Sequence, residues 1–204
     1  MSKIAIIGAT GRAGSQLLEE ALRRGHSVTA IARNTAKIGE RTGVVSKPLD
    51  VLDSEALIAA IDGHDLVISA AHFATVPADK VIAPVKAAGV KRLLVVGGAG
   101  SLLLPDDSRV IDSEGFPEEY LAEASAGALF LDVLRKEQDL DWTFLSPSAE
   151  FVETERTGQF RVGKDHLLFD AAGRSWISFA DYAIAMIDEV ETPQFPRTRF
   201  TVGY

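Results

Sequence analysis

The stretch KIAIIGATGRAGS, residues 3–15, stands almost at the start of the chain. Its first five residues form an apolar run of strand-forming type, and three glycines at three-residue spacing follow directly. A helical pattern begins at residue 13, just before the third glycine, and continues to residue 24. This order of strand, glycine-rich turn and helix predicts the first half of a βαβ unit.

Strand-like runs and helical patterns alternate over the first two thirds of the chain, which favours a parallel sheet. The predicted strands are residues 4–7, 28–32, 44–47, 66–69, 93–96 and 143–145. The predicted helices are residues 13–24, 54–61, 78–88 and 118–137. The last three strands are almost continuously apolar, as expected where helices cover both faces of a sheet. We therefore predict an α/β fold, namely a Rossmann-type, doubly wound, mostly parallel sheet with small C-terminal cap elements.

Residues 151–204 follow a different pattern, with three short strand-like pieces (QFRVG, HLLFD and RSWIS), an amphipathic helix over 181–189 and a last strand, RFTVG. A chain of 204 residues suffices for one sizeable hydrophobic core. We predict a single domain, 1–204, in which 151–204 forms a C-terminal cap or substrate-side portion.

The composition excludes several classes of function. The formal net charge of −8 argues against a surface that binds nucleic acid. The absence of cysteine removes disulfides, thiolate catalysis and sulfur-ligated metals, and the four histidines lack the spacing of a metal site. No stretch approaches the roughly 20 apolar residues of a membrane span, and no secretory leader is apparent. We expect a cytoplasmic protein that holds no metal and contacts no membrane.

The glycine loop has the context of a dinucleotide-binding site. Gly8 would allow the tight turn, Gly11 would let a diphosphate approach the backbone, and Gly14 would let helix and strand pack closely. The diphosphate would then lie on free amides at the helix N-terminus, around Ala13, where the helix dipole favours negative charge. Thr10 would add a hydroxyl.

The end of the second predicted strand indicates which dinucleotide is bound. Sites for NAD usually place an acidic residue there to accept both ribose hydroxyls. This chain has Arg33 instead, which would pair with a 2′-phosphate. Arg12, in the glycine loop, would reach the same phosphate or stack on adenine. The two arginines predict NADP(H) in preference to NAD(H).

Small or polar residues also follow the other predicted strands, where the ligand crevice of such a sheet lies. Asp50 would accept a hydrogen bond from the adenine amino group, and Val51 would pack on the ring. Ala70 and Ala71 would leave room for ribose and diphosphate. Gly97 would lie near the nicotinamide.

The segments GATGRAGS, RGHSVTAIAR, KPLDVLD, GAGS, LSPS and ISFADYA resemble the NAD(P)H-binding, NmrA-like branch of the atypical short-chain dehydrogenases. The chain is similar throughout its length to the small proteins of the flavin reductase, or biliverdin reductase B, type. This resemblance implies a Rossmann fold with NADPH, a cofactor contact at Pro147, and reduction of a flat acceptor such as a flavin or quinone.

The chain departs from that pattern in two places. Ordinary short-chain dehydrogenases use a Tyr-x-x-x-Lys helix in which lysine lowers the tyrosine pKa, whereas Tyr120 is followed four positions later by Ala124. The flavin reductases carry a histidine after the sixth strand, where this chain has Ser146-Pro147-Ser148. Carbonyl chemistry of the usual kind is therefore not expected.

The candidate catalytic residues are Ser101, His72 and Tyr120. Ser101 would hydrogen-bond the acceptor or the nicotinamide amide, or else cap a loop. His72 has the right chemistry for proton transfer at neutral pH, or else is a packed or exposed loop histidine. The candidate acceptor contacts are an aromatic wall and one hydroxyl: Phe73, Phe116, Phe151 and Ser148.

Three functions are compatible with these residues. The first is an NADPH-dependent reductase acting on a small flat acceptor, which needs no Tyr-Lys pair because a conjugated acceptor takes its proton from water. The second is a non-catalytic NADP(H) sensor of the NmrA type. The third, a nucleotide-sugar epimerase or dehydratase, would normally need the missing pair and a larger C-terminal domain. The oligomeric state is left open between monomer and homodimer.

Overall fold

Ten strands and five helices make up the computed structural model, which describes every residue from Met1 to Tyr204. The strands are β1 (Lys3–Ile7), β2 (Ser27–Ala32), β3 (Val44–Pro48), β4 (Leu66–Ser69), β5 (Arg92–Val96), β6 (Asp141–Ser146), β7 (Glu150–Val152), β8 (Arg161–Gly163), β9 (Trp176–Ser178) and β10 (Thr198–Gly203). The helices are α1 (Arg12–Arg23), α2 (Ser54–Ile61), α3 (Asp79–Ala87), α4 (Glu118–Lys136) and α5 (Phe179–Glu191), with a short 3-10 helix at Val110–Asp112. None of the helices combines the length and apolar character that a bilayer crossing requires.

Eight of the strands form one sheet in the order β3-β2-β1-β4-β5-β6-β10-β8. All neighbouring pairs are parallel except β10 and β8. The predicted Rossmann-type, doubly wound, mostly parallel sheet is thereby confirmed. The order reverses between β1 and β4, so that the chain leaves these neighbours in opposite directions. A crevice at the carboxyl ends of the strands is expected at such a switch point.

Helices cover both faces of the sheet. Side chains that alternate along β1 explain why: Ile4 and Ile6 point to one face, whereas Ala5 and Ile7 point to the other. The first face packs against α1 and α5, and the second against α2, α3 and α4. Each face carries its own hydrophobic cluster, of 22 and 20 buried residues. The sheet is therefore buried on both sides, which leaves its ends as the places for a ligand.

The C-terminal part of the chain contributes to the main sheet and forms a second, small one. β10 pairs in parallel with β6, and β8 forms the antiparallel edge, while β7 and β9 pair with each other. The prediction of a strand at HLLFD, residues 166–170, is wrong: only His166 makes an isolated bridge, with Leu103. Asp170 instead closes a turn with the backbone of Arg174.

The segment between β7 and β8 is tied to both helices of the first face. Arg156 pairs with the buried carboxylate of Glu20 on α1, at 3.1 Å. Thr157 and Gly158 donate backbone hydrogen bonds to Asp181 on α5, both at 2.9 Å. Tyr204, the last residue, donates its hydroxyl to the same carboxylate at 2.6 Å. Asp181, which is fully buried, thus holds this segment and the C-terminus together.

We predict that Asp181→Asn destabilises the protein by about 2 kcal/mol, because an amide cannot accept all of these hydrogen bonds. Burial alone would raise the pKa of Asp181, but the hydrogen bonds from Thr157, Tyr204 and Gly158 outweigh it and hold the pKa below its ordinary value. The carboxylate therefore stabilises the fold fully above pH of about 4, and this contribution is lost as the pH falls through the folded-state pKa. Urea unfolding at several pH values checks this. A difference between wild type and variant that grows in acid would contradict it.

Candidate functional site

A crevice of about 290 Å³ lies at the carboxyl ends of β1 to β4, where the strand order reverses. Its size is close to the lower end of small-molecule pockets, about 300 Å³. The turns after four successive strands line it, which brings together most of the residues predicted to bind the cofactor: Gly8, Thr10, Gly11, Arg33, Asp50, Val51, Ala70 and Ala71. The candidate catalytic residue His72 lines the same crevice. Sequence reasoning did not single out Thr75 and Val76, which complete the wall after β4.

Two of the three loop glycines are required by packing within the protein. Gly8 has φ of +78°, and a Cβ there would lie 2.6 Å from the carbonyl oxygen of Ala70. A Cβ at Gly14 would lie 2.8 Å from the carbonyl carbon of Gly8 and closer still to its oxygen. Real Cβ atoms do not approach backbone so closely. A side chain at Gly8 would push the glycine loop away from the backbone after β4, and one at Gly14 would push α1 away from the loop after β1.

Gly11 is different, because the protein itself restricts a side chain there much less than at Gly8 or Gly14. Its φ of −73° suits any residue, and a Cβ would meet only the carbonyl oxygen of Gly8, at 3.3 Å. Gly11 also lines the crevice, so its backbone meets the crevice without a side chain. A glycine with free space on the ligand side is what the close approach of a diphosphate demands.

The first turn of α1 supplies hydrogen-bond donors beside this open backbone. The amide of Ser15 is the first to bond within the helix, to the carbonyl of Gly11 at 2.9 Å. The amides of Arg12, Ala13 and Gly14 precede it and have no partner earlier in the helix. Such amides, together with the helix dipole, form an anion-binding site.

Arg33 follows β2 on the rim of the crevice and is exposed. It makes no hydrogen bond or ion pair within the protein, so its guanidinium is available to a ligand. Asp50, after the adjacent strand β3, accepts a hydrogen bond from the backbone of Leu52 through one carboxylate oxygen, at 3.0 Å. The other oxygen is free to accept a further hydrogen bond.

Arg12 points into a neighbouring cavity rather than into the crevice of Arg33. This second cavity has a volume of about 140 Å³ and shares Thr10 and Gly11 with the crevice. The guanidinium of Arg12 lies over the ring of Phe179, 5.4 Å from its centroid. Phe179 was not among the residues predicted from the sequence. The Ser178-x-x-Asp181 capping pattern could have placed it at the start of a helix, α5.

His72 lies at the mouth of the crevice, with 85% of its side chain exposed. Its Nδ1 is 3.5 Å from a carboxylate oxygen of Glu123 on α4. The same carboxylate accepts the backbone amides of Phe73 at 2.8 Å and Ala74 at 2.9 Å. Glu123 therefore fixes the loop after β4 that forms one wall of the crevice. No short-range sequence pattern reveals this contact, because it joins residues 49 and 50 positions apart.

Ser101 and Tyr120 line neither cavity. Ser101 accepts a long hydrogen bond, 3.4 Å, from the buried guanidinium of Arg199. Burial lowers the pKa of Arg199 in spite of its ion pair with Asp165. Tyr120 lies in the first turn of α4 and is 60% exposed. The structure thus does not bring the three candidate catalytic residues together around one point.

The aromatic residues expected to bind an acceptor do not form one wall. Phe73 is buried against Phe130 and Phe144, whereas Phe151 packs on Phe179 across the sheet, in the other hydrophobic cluster. Phe116 lies in the turn that leads into α4.

The remaining predicted contacts, Ser148, Pro147 and Gly97, lie close to β6. Ser148 is fully buried and donates its hydroxyl to the carbonyl of Val202 at 2.9 Å, and Pro147 beside it is also buried. Gly97 is required by packing, since a Cβ there would lie 2.8 Å from the carbonyl oxygen of Leu145.

The geometry of the crevice fits a dinucleotide cofactor. Open backbone at Gly11 and free amides at the start of α1 suit the diphosphate, and the apolar and carboxylate groups of Val51 and Asp50 suit an adenine. The unpaired cation of Arg33 suits a further anionic group on the ribose.

Comparison with known proteins agrees with this fit. A sequence profile of a family described as NAD(P)H-binding matches residues 8–190. YwnB, an uncharacterized protein of Bacillus subtilis (strain 168), is 42% identical over 98% of this chain and 97% of its own. A solved structure from Bacteroides thetaiotaomicron, provisionally named an epimerase, is 43% identical with a TM-score of 0.94, covering 100% of this chain and 97% of that one. Another from Streptococcus pneumoniae TIGR4, provisionally named an NADH-flavin reductase, is 35% identical with a TM-score of 0.86, covering 100% and 99%.

We predict that Gly11→Ala and Gly14→Ala separate ligand binding from folding. The methyl group of Gly11→Ala enters the space left for the diphosphate, so NADPH affinity falls at least about tenfold while stability changes by about 1 kcal/mol or less. Gly14→Ala forces α1 from β1 and costs about 2 kcal/mol or more of stability. Calorimetric titration and thermal unfolding measure both effects. Unchanged NADPH affinity in the folded Gly11→Ala variant would show that this backbone does not contact the cofactor.

Proposed function

Because the chain belongs to the NAD(P)H-binding family, we propose that it is an NADPH-dependent oxidoreductase that reduces a flat acceptor of the flavin or quinone class. The observation that carries the proposal is the combination of open backbone at Gly11 with an unpaired Arg33 in one crevice. The first feature suits any dinucleotide, and the second distinguishes NADPH from NADH. The similarity to a protein provisionally named an NADH-flavin reductase supports the acceptor class.

Bound NADPH supplies the hydride, and the protein supplies binding, orientation and exclusion of water. The amides at the start of α1 would hold the diphosphate, and Arg33 would hold the 2′-phosphate. Asp50 would accept a hydrogen bond from the adenine amino group through its free carboxylate oxygen. Glu123 keeps the loop after β4 in place, so that this wall of the crevice is rigid.

His72 is the group that would donate a proton to a reduced acceptor. It stands at the crevice mouth, where its Nδ1 lies 3.5 Å from a carboxylate oxygen of Glu123, and an imidazole there can reach a ligand in the crevice. Ser101 is a weaker candidate for the proton donor, because its hydroxyl already accepts a hydrogen bond from the buried Arg199. Tyr120 is the weakest candidate for the proton donor, since Ala124 stands where an ordinary short-chain dehydrogenase has its lysine.

Two alternatives remain testable. An NADP(H) sensor would use the same crevice without turnover, and the scattered positions of His72, Ser101 and Tyr120 favour it. An epimerase is favoured by the name of the Bacteroides thetaiotaomicron protein, but the missing Tyr-Lys pair opposes it.

We predict that the purified protein oxidises NADPH in the presence of flavin mononucleotide, flavin adenine dinucleotide or a simple benzoquinone, faster than the same mixture without protein. Loss of absorbance at 340 nm measures the rate. His72→Ala should lower kcat, whereas His166→Ala, at an exposed histidine outside the crevice, is the matched control. Tight NADPH binding with no turnover above the protein-free rate would favour the sensor and overturn the reductase.

We further predict that Arg33→Asp reverses the cofactor preference, because a carboxylate repels the 2′-phosphate and accepts the ribose hydroxyls of NADH. The affinity for NADPH should fall at least about tenfold relative to NADH, or about 1.4 kcal/mol. Lys37→Asp makes the same charge change four residues away, outside the crevice, and should leave the ratio unchanged. Equal affinities for NADPH and NADH, in the wild type and in Arg33→Asp alike, would show that Arg33 does not bind a 2′-phosphate.

A further inference from the structure

The second cavity adjoins the nucleotide crevice at the glycine loop. Its volume is about 140 Å³, and it shares Thr10 and Gly11 with the crevice. A molecule in the second cavity would therefore contact the same loop as a dinucleotide in the crevice. Two molecules that react with each other need such neighbouring sites, because the reacting atoms must be held close together.

The guanidinium of Arg12 is held over an aromatic ring in this cavity. It lies 5.4 Å from the centroid of Phe179, within the range of a cation–π contact, about 6 Å. Phe179 is buried and packs on Phe151, with the ring centroids 4.1 Å apart. Arg12 accepts a hydrogen bond from the hydroxyl of Ser15 through its backbone carbonyl, at 3.1 Å, but its guanidinium donates none within the protein. The N–H groups of an oriented guanidinium are thus available to a ligand.

Glu153 adds an unpaired carboxylate to the wall of the same cavity. It directly follows β7, is exposed, and forms no ion pair with Arg12 or with any other residue. Thr10 and Gln16 line the cavity as well, and their side chains make no hydrogen bond within the protein. The cavity therefore offers a cation, a carboxylate, a hydroxyl and an amide. Since the two charges are opposite, this set of groups suits an uncharged ligand that both accepts and donates hydrogen bonds.

The imide edge of a flavin has this combination of groups. It presents an N–H between two carbonyl oxygens, so that a carbonyl would accept from Arg12 while the N–H donates to Glu153. A quinone presents carbonyl oxygens without a donor and would leave the carboxylate unsatisfied. The cavity has about half the volume of the crevice, so it suits one end of a ring system, and the remaining rings would extend towards the glycine loop.

We infer that Arg12 and Glu153 bind the imide edge of the acceptor and thereby select flavins over quinones. This inference rests on the proposed function, because it identifies which class of flat acceptor the reductase takes. The role of both residues is recognition, and neither takes part in the transfer of the hydride or of the proton.

Binding of lumiflavin and 3-methyllumiflavin in the presence of excess NADP⁺ tests the inference without requiring turnover. The two flavins differ only in the methyl group that replaces the imide hydrogen. Quenching of the flavin fluorescence measures both affinities. The wild type should bind lumiflavin at least about tenfold more tightly, because the methyl group removes the donor to Glu153.

Variants of the two charged residues test their separate contributions. Glu153→Ala should abolish the difference between the two flavins, because the group that recognises the N–H is removed. Glu155→Ala is the matched control, since Glu155 is an exposed carboxylate two positions later that does not line the cavity, and it should keep the difference. Arg12→Gln should weaken the binding of both flavins at least about tenfold, even at saturating NADP⁺.

Four results would overturn the inference: no binding of lumiflavin, equal affinity of the wild type for both flavins, an undiminished difference in Glu153→Ala, or unchanged flavin affinity in Arg12→Gln. The rate of NADPH oxidation separates these results from the proposed function. Turnover of benzoquinone and of both flavins at equal efficiency would keep the reductase and reject selection by the imide edge. Tighter binding of lumiflavin than of 3-methyllumiflavin, with no turnover of any acceptor, would keep the recognition and reject the reductase.

Discussion

The close contact between Gly8 and Gly14 is the constraint on which the nucleotide crevice depends. The backbone of the first turn of α1 lies against the carbonyl of Gly8, with no room for a Cβ atom between them. This contact holds the N-terminus of α1, and with it a set of unpaired amides, at the carboxyl end of the central strand. Because β1 and β4 are neighbours with diverging connections, the same place is where the sheet opens. The opening between β1 and β4 and the unpaired amides of α1 therefore lie at the same place.

Most of the framework follows from the sequence because local patterns determine it. The apolar strands and the glycine loop have signatures within a few residues, and the predicted strands 66–69 and helix 54–61 coincide with β4 and α2. The strand predicted at residues 166–170 fails because strand formation needs a partner, which local composition does not supply. The residues of the crevice could also be predicted from the sequence, since they immediately follow predicted strands.

The residues that would contact an acceptor were harder to predict from the sequence, because their positions depend on side-chain directions and on contacts between distant parts of the chain. Phe73 and Phe151 both follow strands, yet they pack on opposite faces of the sheet. Arg12 lies in the predicted loop, but its guanidinium lies in the neighbouring cavity, over the ring of Phe179, which is 167 positions later in the sequence. Helix α4 illustrates the same limit. It lacks the lysine of the usual short-chain dehydrogenases, and its Glu123 holds the crevice wall through contacts with the backbone of Phe73 and Ala74.

A crystal structure of the protein with NADP⁺ would locate both phosphate groups of the cofactor. We expect the diphosphate on the amides of Arg12, Ala13 and Gly14, in contact with the backbone of Gly11, and the 2′-phosphate within hydrogen-bonding distance of Arg33. A nucleotide bound with its diphosphate away from the glycine loop, or with Arg33 turned to solvent and an acidic side chain on the ribose, would contradict it.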